Sequence, residues 1–203
     1  GMRHAMDYLE MKPGTLLSPT PVVMVSCAAK GLRPNIITLA WVGTVNSDPP
    51  MVSISVRPGR HSFGLIRDSG EFIINLVSRE MMEACDLCGV KSGRDMDKFK
   101  DLGLEALPVP GMDFAPAIAG SPAYLACRVR NSLELGSHTM FLGEIIFMGI
   151  RDDLMDKAGK IDFVKADLVA YCHGEYMGLK PPEGFFGYSV ARPEVLRRRL
   201  KRK

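Results

Sequence analysis

Between Pro21 and Val77 the chain is a succession of short β-branched or alternating segments, and this constrains the fold more than anything else in the sequence. "PVVMVSCAA", "NIITLAWVGTVN", "MVSISV" and "EFIINLV" are strand-like, with Gly, Pro and Asp clusters such as "KGLRP" and "SDPP" between them. In "MVSISV" the residues Val52, Ile54 and Val56 share one face and Ser53, Ser55 and Arg57 the other, the signature of a half-buried strand. One segment breaks the run: "HSFGLIRDSG" has helical spacing, with Phe63, Ile66 and Leu65 as its buried side.

Helical spacing continues in "EMMEACDLCG" and "DMDKFKDLG", each closing on Gly. Strands return in "SPAYLACRVRNSLELG" and "HTMFLGEIIFMGI", joined by a Gly-containing turn that predicts a hairpin. Asp153 to Lys160 reads as a polar loop, and the Gly- and aromatic-rich segment from Asp167 to Val190 fits no single period. About six unevenly spaced strands with a few inserted helices predict a mainly β protein, a small closed or split β-barrel with helical decoration. A Rossmann arrangement is disfavoured, because strands do not alternate with long helices and no G-x-G-x-x-G follows a strand. Walker A and G-x-S-x-G motifs are also missing.

At 203 residues and 46% hydrophobic, the chain can bury one sizeable core. Its formal charge of +3 is local in origin. Arg192 to Lys203 holds seven basic residues and one acid, +6, which leaves the remainder at −3. That tail has the electrostatic footprint of a nucleic-acid or anionic-lipid contact, but a solvated, frayed terminus is the expectation, and nucleic acid is an unlikely partner. No window approaches the roughly 18 apolar residues of a membrane span, and no secretory signal is seen, so a soluble cytoplasmic protein is expected. Gly1 before Met2 reads as a tag scar. Five cysteines without dense even spacing suit reduced thiols. Cys85 and Cys88 form a C-x-x-C that could be a redox pair or half a zinc site, but no second pair completes a tetrahedral set, and no metal is expected.

Four stretches carry chemistry. In the first, Ser62 at the start of the helix can cap it, and free N–H groups with Arg60 beside them make an anion site suited to phosphate. In "NIITLAWVGTVN", Thr38, Ala40 and Thr44 share one strand face beside Trp41, and Gly43 leaves room for a flat ring. "CGVKSGRDMDKF" places Ser92 and Gly93 before a short helix that carries Lys98, again anion-binding equipment. His138, after a Gly-Ser turn, is expected to titrate near neutrality and so to donate a proton or a hydrogen bond. Each alone also reads as ordinary structure: a capped helix, a core tryptophan, a surface lysine, polar decoration.

Taken in order, "N-x-x-T-x-A-W-x-G", "PP-M-V-S-I-S-V-R-P-G-R-H-S", "C-G-x-x-S-G-R-D-x-D-K-F" and "S-H-T-x-F-L-G-E-I" resemble the flavin reductase-like family, which binds FMN on a split barrel, and its flavoredoxin branch most closely. The resemblance covers roughly residues 12–190, leaving an N-terminal extension, 1–11, and the basic tail, 191–203. It implies a Greek-key FMN-binding split β-barrel and a homodimer with FMN near the subunit interface. Carried across, Asn35, Trp41 and Thr44 border the flavin ring or its ribityl chain, on a segment that also contributes Thr38 and Ala40. Arg60 and Ser62 face the phosphate with Ser55 behind them, and Cys88, Ser92 and Lys98 close the site. His138 sits toward the reactive face, and Tyr171 with His173 helps to cover it. The activity implied is hydride transfer from NADH or NADPH to FMN, then electron delivery to free flavin, ferric complexes or a redox protein. The alternative is an FMN-binding electron carrier without nicotinamide oxidation.

Overall fold

A computed structural model describes residues 7–200. Gly1 and the last three tail residues lie outside the described residues. The chain runs through β1 (Thr20–Pro21), β2 (Val23–Ala29), β3 (Leu32–Leu39), β4 (Val42–Asn46), β5 (Met51–Val56), α1 (His61–Ser69), β6 (Glu71–Leu76), α2 (Met82–Val90) and α3 (Lys98–Asp101). It continues through β7 (Ala106–Leu107), β8 (Ala117–Ile118), β9 (Ala123–Glu134), β10 (Thr139–Ile150), α4 (Phe163–Ala166), β11 (Val169–Cys172), β12 (Glu175–Gly178) and α5 (Pro193–Leu200).

Seven strands form one antiparallel sheet in the order β3-β2-β6-β9-β10-β5-β4. In a flat sheet its two edges, β3 and β4, would stand roughly 29 Å apart at ordinary strand spacing. Yet β3 ends at Leu39 and β4 begins at Val42, a step that reaches about 11 Å at full extension. The sheet must therefore curl until its edges meet at Ala40–Trp41. No ladder pairs β3 with β4, so the barrel closes along an open seam, and Ser55 N–H donates to the Trp41 carbonyl (3.0 Å) to hold the seam against β5.

This corrects one expectation. "NIITLAWVGTVN" is two strands, so Thr38 and Thr44 lie on opposite edges of the sheet rather than on one face. Elsewhere local pattern and structure agree. Strand β5 alternates as read, with Val52, Ile54 and Val56 buried. The β9–β10 hairpin forms over twelve residues on each side.

Inside the barrel, Val23, Val25, Ile37, Ile54, Phe72 and Phe141 pack with Leu65 and Ile66 of α1, which plugs the interior. Burying each of those two helix residues stabilises the fold by about 1.5–3 kcal/mol. The buried side of α1 is Ser62, Leu65 and Ile66, whereas Phe63 is half-buried, 5.5 Å from Phe141 between ring centroids. Strand β2 is buried along its whole length because α2 and α3 cover its outer face, Met24 and Ile36 meeting Cys85, Cys88 and Phe99. Helix α2 runs on through Gly89 to Val90, and "DMDKFKDLG" supplies only the single turn of α3.

The expected frayed tail is in part a helix. Pro193–Leu200 forms α5, and the Arg199 guanidinium lies 4.0 Å from the centroid of the Phe185 ring. A cation over an aromatic face is favourable even at an exposed site, which gives the segment a local reason to order. No described helix is long and apolar enough to cross a membrane.

Candidate functional site

The seam opens into a cleft of about 290 Å³. Its floor comes from the end of β3 and the crossover, with Thr38, Ala40 and Trp41, and one side from Ser55 of β5. Arg57 and Arg60 follow β5, α2 supplies Asp86, Gly89 and Val90, and His138 stands at the start of β10. The β11–β12 hairpin provides Tyr171 and Tyr176. Trp41 and Tyr171 meet edge to face with centroids 6.5 Å apart, and Tyr171 meets Tyr176 at 5.9 Å. The Tyr176 hydroxyl donates to Asp86 Oδ1 at 2.7 Å, which ties the hairpin to α2.

Seven residues singled out from the sequence therefore line one cleft: Thr38, Ala40, Trp41, Ser55, Arg60, Tyr171 and His138. Others lie behind it. Asn35 and Ser62 are buried and bonded to each other, Asn35 Nδ2 donating to Ser62 Oγ at 2.8 Å. Ser62 does not cap α1, whose N-cap is Arg60 without a side-chain cap, because its hydroxyl is turned into the core. Lys98 is 1% exposed, and its Nζ donates to the Ile36 carbonyl (2.5 Å) and the Cys88 carbonyl (2.9 Å), stitching β3 to α2. Cys88 is buried, with its thiol pushed up to about 11 by burial. Ser92 accepts from Arg94 N–H at 3.1 Å in its own turn, and Thr44 is exposed on β4. His173, at positive φ (47°), forms the β11–β12 turn.

Two arginines that local pattern had not marked stand beside the turn that starts α1. Arg33 donates to the Gly93 carbonyl (2.9 Å) and Arg94 to the Gly59 carbonyl (3.3 Å), clipping the 92–94 turn against the turn that starts α1. Arg60 donates to the Gly89 carbonyl at 3.2 Å. Among the described residues none of Arg33, Arg57, Arg60 and Arg94 forms an ion pair with a carboxylate, and the first turn of α1 holds no acid. His61 at that turn is held below the usual histidine range by burial first, then by the positive field of Arg94, Lys98 and Arg33. Unpaired guanidiniums around a helix N-terminus favour an anion.

Gly93 is fixed by packing. A Cβ there would fall 2.3 Å from Asn35 Oδ1 and 2.7 Å from His61 Cδ2. Gly93→Ala is expected to cost about 1–3 kcal/mol through overpacking, visible as a lowered melting temperature. Unchanged melting would show that the turn is free to move away.

Lys98 brings a pH signature. Burial lowers its ammonium from 10.5 to about 8, so the folded chain sheds this proton near pH 8 and the unfolded chain only near 10.5. Between those values the unfolded chain binds more protons, and stability rises with pH. From about pH 8 upward the buried cysteines oppose this. Burial raises Cys85 and Cys88 to about 11 and Cys27 and Cys127 to about 12, so unfolded thiols ionise first and stability falls. In urea melts from pH 8 to 9 Lys98→Met is expected to lose roughly 1 kcal/mol more than the wild-type chain, and the same pH dependence in both would refute the assignment.

A β-barrel split along a seam, with an aromatic-walled cleft running from the seam to a cationic helix start, defines a flavin-binding protein. The chain belongs to the flavin reductase-like family, residues 16–180 matching the Flavin reductase like domain, and within it to the flavoredoxin branch. It superimposes on the flavoredoxin of Desulfovibrio vulgaris (Miyazaki F) with a TM-score of 0.84 and 29% identity, over 91% of this chain and 99% of that one. Flavoredoxin from Methanosarcina acetivorans gives 0.81 and 27%, over 89% and 95%. A reductase component of a 4-nitrophenol 4-monooxygenase/4-nitrocatechol 2-monooxygenase from Rhodococcus opacus is 29% identical over 125 residues, 62% of this chain and 63% of that protein.

Proposed function

We propose that the protein binds FMN along the seam, takes hydride onto it from NADH or NADPH, and passes the electrons to a small-molecule or protein acceptor. The observation that carries this is an aromatic-walled slot that carries Arg57 and Arg60 and reaches the N-terminus of α1, whose first turn holds no acid, the shape and charge of a flat ring with a phosphate at its far end. Bound there, FMN supplies two-electron redox chemistry, and the protein's task is to place and tune it.

The chain's own residues divide that task. Arg60, with Arg57, Arg33 and Arg94, holds the phosphate, supported by the first-turn amides of α1. Ala40 and Trp41 present seam backbone and an indole edge to the ring. Tyr171 and Tyr176, fixed by Asp86, close the cleft from above and exclude water. His138 stands where the donor approaches. Burial and then the Arg57 charge keep it below the usual histidine range, so at neutral pH it is uncharged. Its Nδ1 is 2.8 Å from Ser137 Oγ. When the Ser137 hydroxyl donates, the proton resides on Nε2, which then serves as a hydrogen-bond donor to a docking carboxamide. The flavin domain on this reading spans 12–190, works as a homodimer, and sits in the cytoplasm, in keeping with five free cysteines.

The relatives' own name, flavoredoxin, favours a second reading, an electron carrier that exchanges with a redox partner and has no use for nicotinamide. One experiment separates the two. Protein reconstituted with FMN and desalted is expected to keep a flavin spectrum that bleaches under anaerobic NADH or NADPH, and His138→Ala to slow bleaching about tenfold or more while retaining flavin. Retained flavin that neither nucleotide bleaches means the carrier. Failure to retain FMN at any concentration rejects both.

A further inference from the structure

The match to the family domain ends at residue 180, and the chain beyond it builds a small unit with its own contacts. Phe185 and Tyr188 meet edge to face with centroids 6.2 Å apart, and the Arg199 guanidinium of α5 stands 4.0 Å over the Phe185 ring. Between them the Tyr188 N–H donates to the Phe185 carbonyl (2.9 Å) and the Val190 N–H to the Gly187 carbonyl (3.2 Å). These contacts use Phe185 and leave its neighbours bare. Phe186 is fully exposed, Val190 is 88% exposed, and Leu200 at the end of α5 is exposed as well.

Cations stand among these apolar side chains. Among the described residues none of Arg192, Arg197 and Arg198 forms an ion pair, and the sequence continues with Lys201, Arg202 and Lys203. The helical repeat of α5 sets Val195, Leu196 and Leu200 on one arc and Arg197 and Arg198 on the other, so the helix is amphipathic and basic. Glu194 is the single acid from Arg192 to Lys203, which carries +6 against −3 for the rest of the chain.

Nucleic acid, an acidic protein and an anionic bilayer all attract such a charge. Phosphates or carboxylates alone would satisfy the arginines and leave Phe186 and Val190 in water. Base edges are read by amide and hydroxyl side chains, yet no Asn, Gln or Thr occurs from Pro181 to Lys203, and Val190 and Leu200 have no ring to stack on a base. An anionic bilayer meets both needs. Its head groups pair with guanidiniums, and its acyl boundary takes scattered apolar side chains without a shaped pocket.

We propose that the segment from Phe185 to Leu200, with the basic residues that follow it, is a peripheral binding site for anionic lipid bilayers. Phe186 and Val190 enter the acyl boundary, and Arg192, Arg197 and Arg198 lie on the head groups. The negative remainder of the chain is repelled by the same surface, so attachment runs through this segment. The assignment does not depend on the flavin reading.

Flotation of the full chain with lipid vesicles tests it. The protein is expected to float with phosphatidylcholine vesicles that carry about 30% phosphatidylglycerol, and to bind phosphatidylcholine alone about tenfold more weakly or less. Arg197→Glu with Arg198→Glu is expected to weaken binding to the anionic vesicles about tenfold or more, and Phe186→Ser with Val190→Ser about tenfold. All four positions are exposed, so both double variants are expected to melt and to retain FMN as the parent chain does. No flotation, equal binding to neutral vesicles, or indifference to either double variant would overturn the proposal. A duplex oligonucleotide or polyglutamate that binds as tightly as the anionic vesicles, untouched by the serine changes, would also overturn it and reassign the segment to nucleic acid or to an acidic protein.

Discussion

Arg60→Ala is expected to weaken FMN binding about ten- to a hundredfold while leaving riboflavin affinity nearly unchanged. The difference isolates the phosphate, which riboflavin lacks. A hydrogen bond to a charged group is worth about 1.5–3 kcal/mol, and about 1.4 kcal/mol is a factor of ten. Arg60 has no carboxylate partner to release, so its charge is available to a ligand; its one recorded bond, to the Gly89 carbonyl, orients the guanidinium against α2. Arg60→Lys keeps the charge without the planar fork and is expected to recover only part of the loss. Fluorescence titration at two salt concentrations checks the assignment, because the Arg60 contribution shrinks as salt rises. An equal loss for riboflavin would move Arg60 from the phosphate to the support of α2.

The largest loss of stability is expected at Glu71, far from the cleft. Its carboxylate is fully buried at the start of β6. Oε1 accepts the N–H groups of Phe114 (2.5 Å) and Ala115 (2.6 Å), Oε2 accepts that of Asp113 (3.1 Å), and Arg128 Nη1 stands 3.7 Å from Oε2. One side chain thus satisfies three loop amides and a cation. Glu71→Gln keeps the shape but turns an amide donor toward groups that are themselves donors, leaving at least one N–H unpaired and the guanidinium without its buried partner. The expected cost is about 2–4 kcal/mol. For a chain of this size that lowers the melting temperature by roughly 5–15 °C. FMN affinity of the folded protein is expected to hold, since Glu71 does not border the cleft. A shift under about 2 °C would mean that the loop relaxes around the new amide.

Glu71 also shows where a sequence stops being legible. "EFIINLV" reads correctly as a strand, yet a glutamate at its first position looks like any solvated end residue. Its burial depends on a loop some forty residues later. Lys98 is the same case with the opposite charge. In "CGVKSGRDMDKF" it resembles a surface anion binder, but the carbonyls of Ile36 and Cys88 receive it because α3 packs on β3. Arg33 and Arg94 carried no signal, sixty-one positions apart, and only the packing of α2 and α3 on β3 brings them to the same turn. By contrast the β5 alternation and the β9–β10 hairpin were readable, since each is set by residues that touch their neighbours in sequence.

By itself the sequence determined the strand-rich class, the alternating faces, the hairpin and, through four ordered motifs, the family. Those rest on side-chain period, turn chemistry and motif order, which are written locally. The tertiary structure alone decided that "NIITLAWVGTVN" breaks at Ala40–Trp41 and crosses between the two edges of a sheet. That one crossover makes the seam, opens the cleft and separates the residues that line it from those that merely support it. No local pattern encodes it, because the meeting of β3 with β4 is a consequence of how seven strands curl, and curvature is a property of the whole sheet.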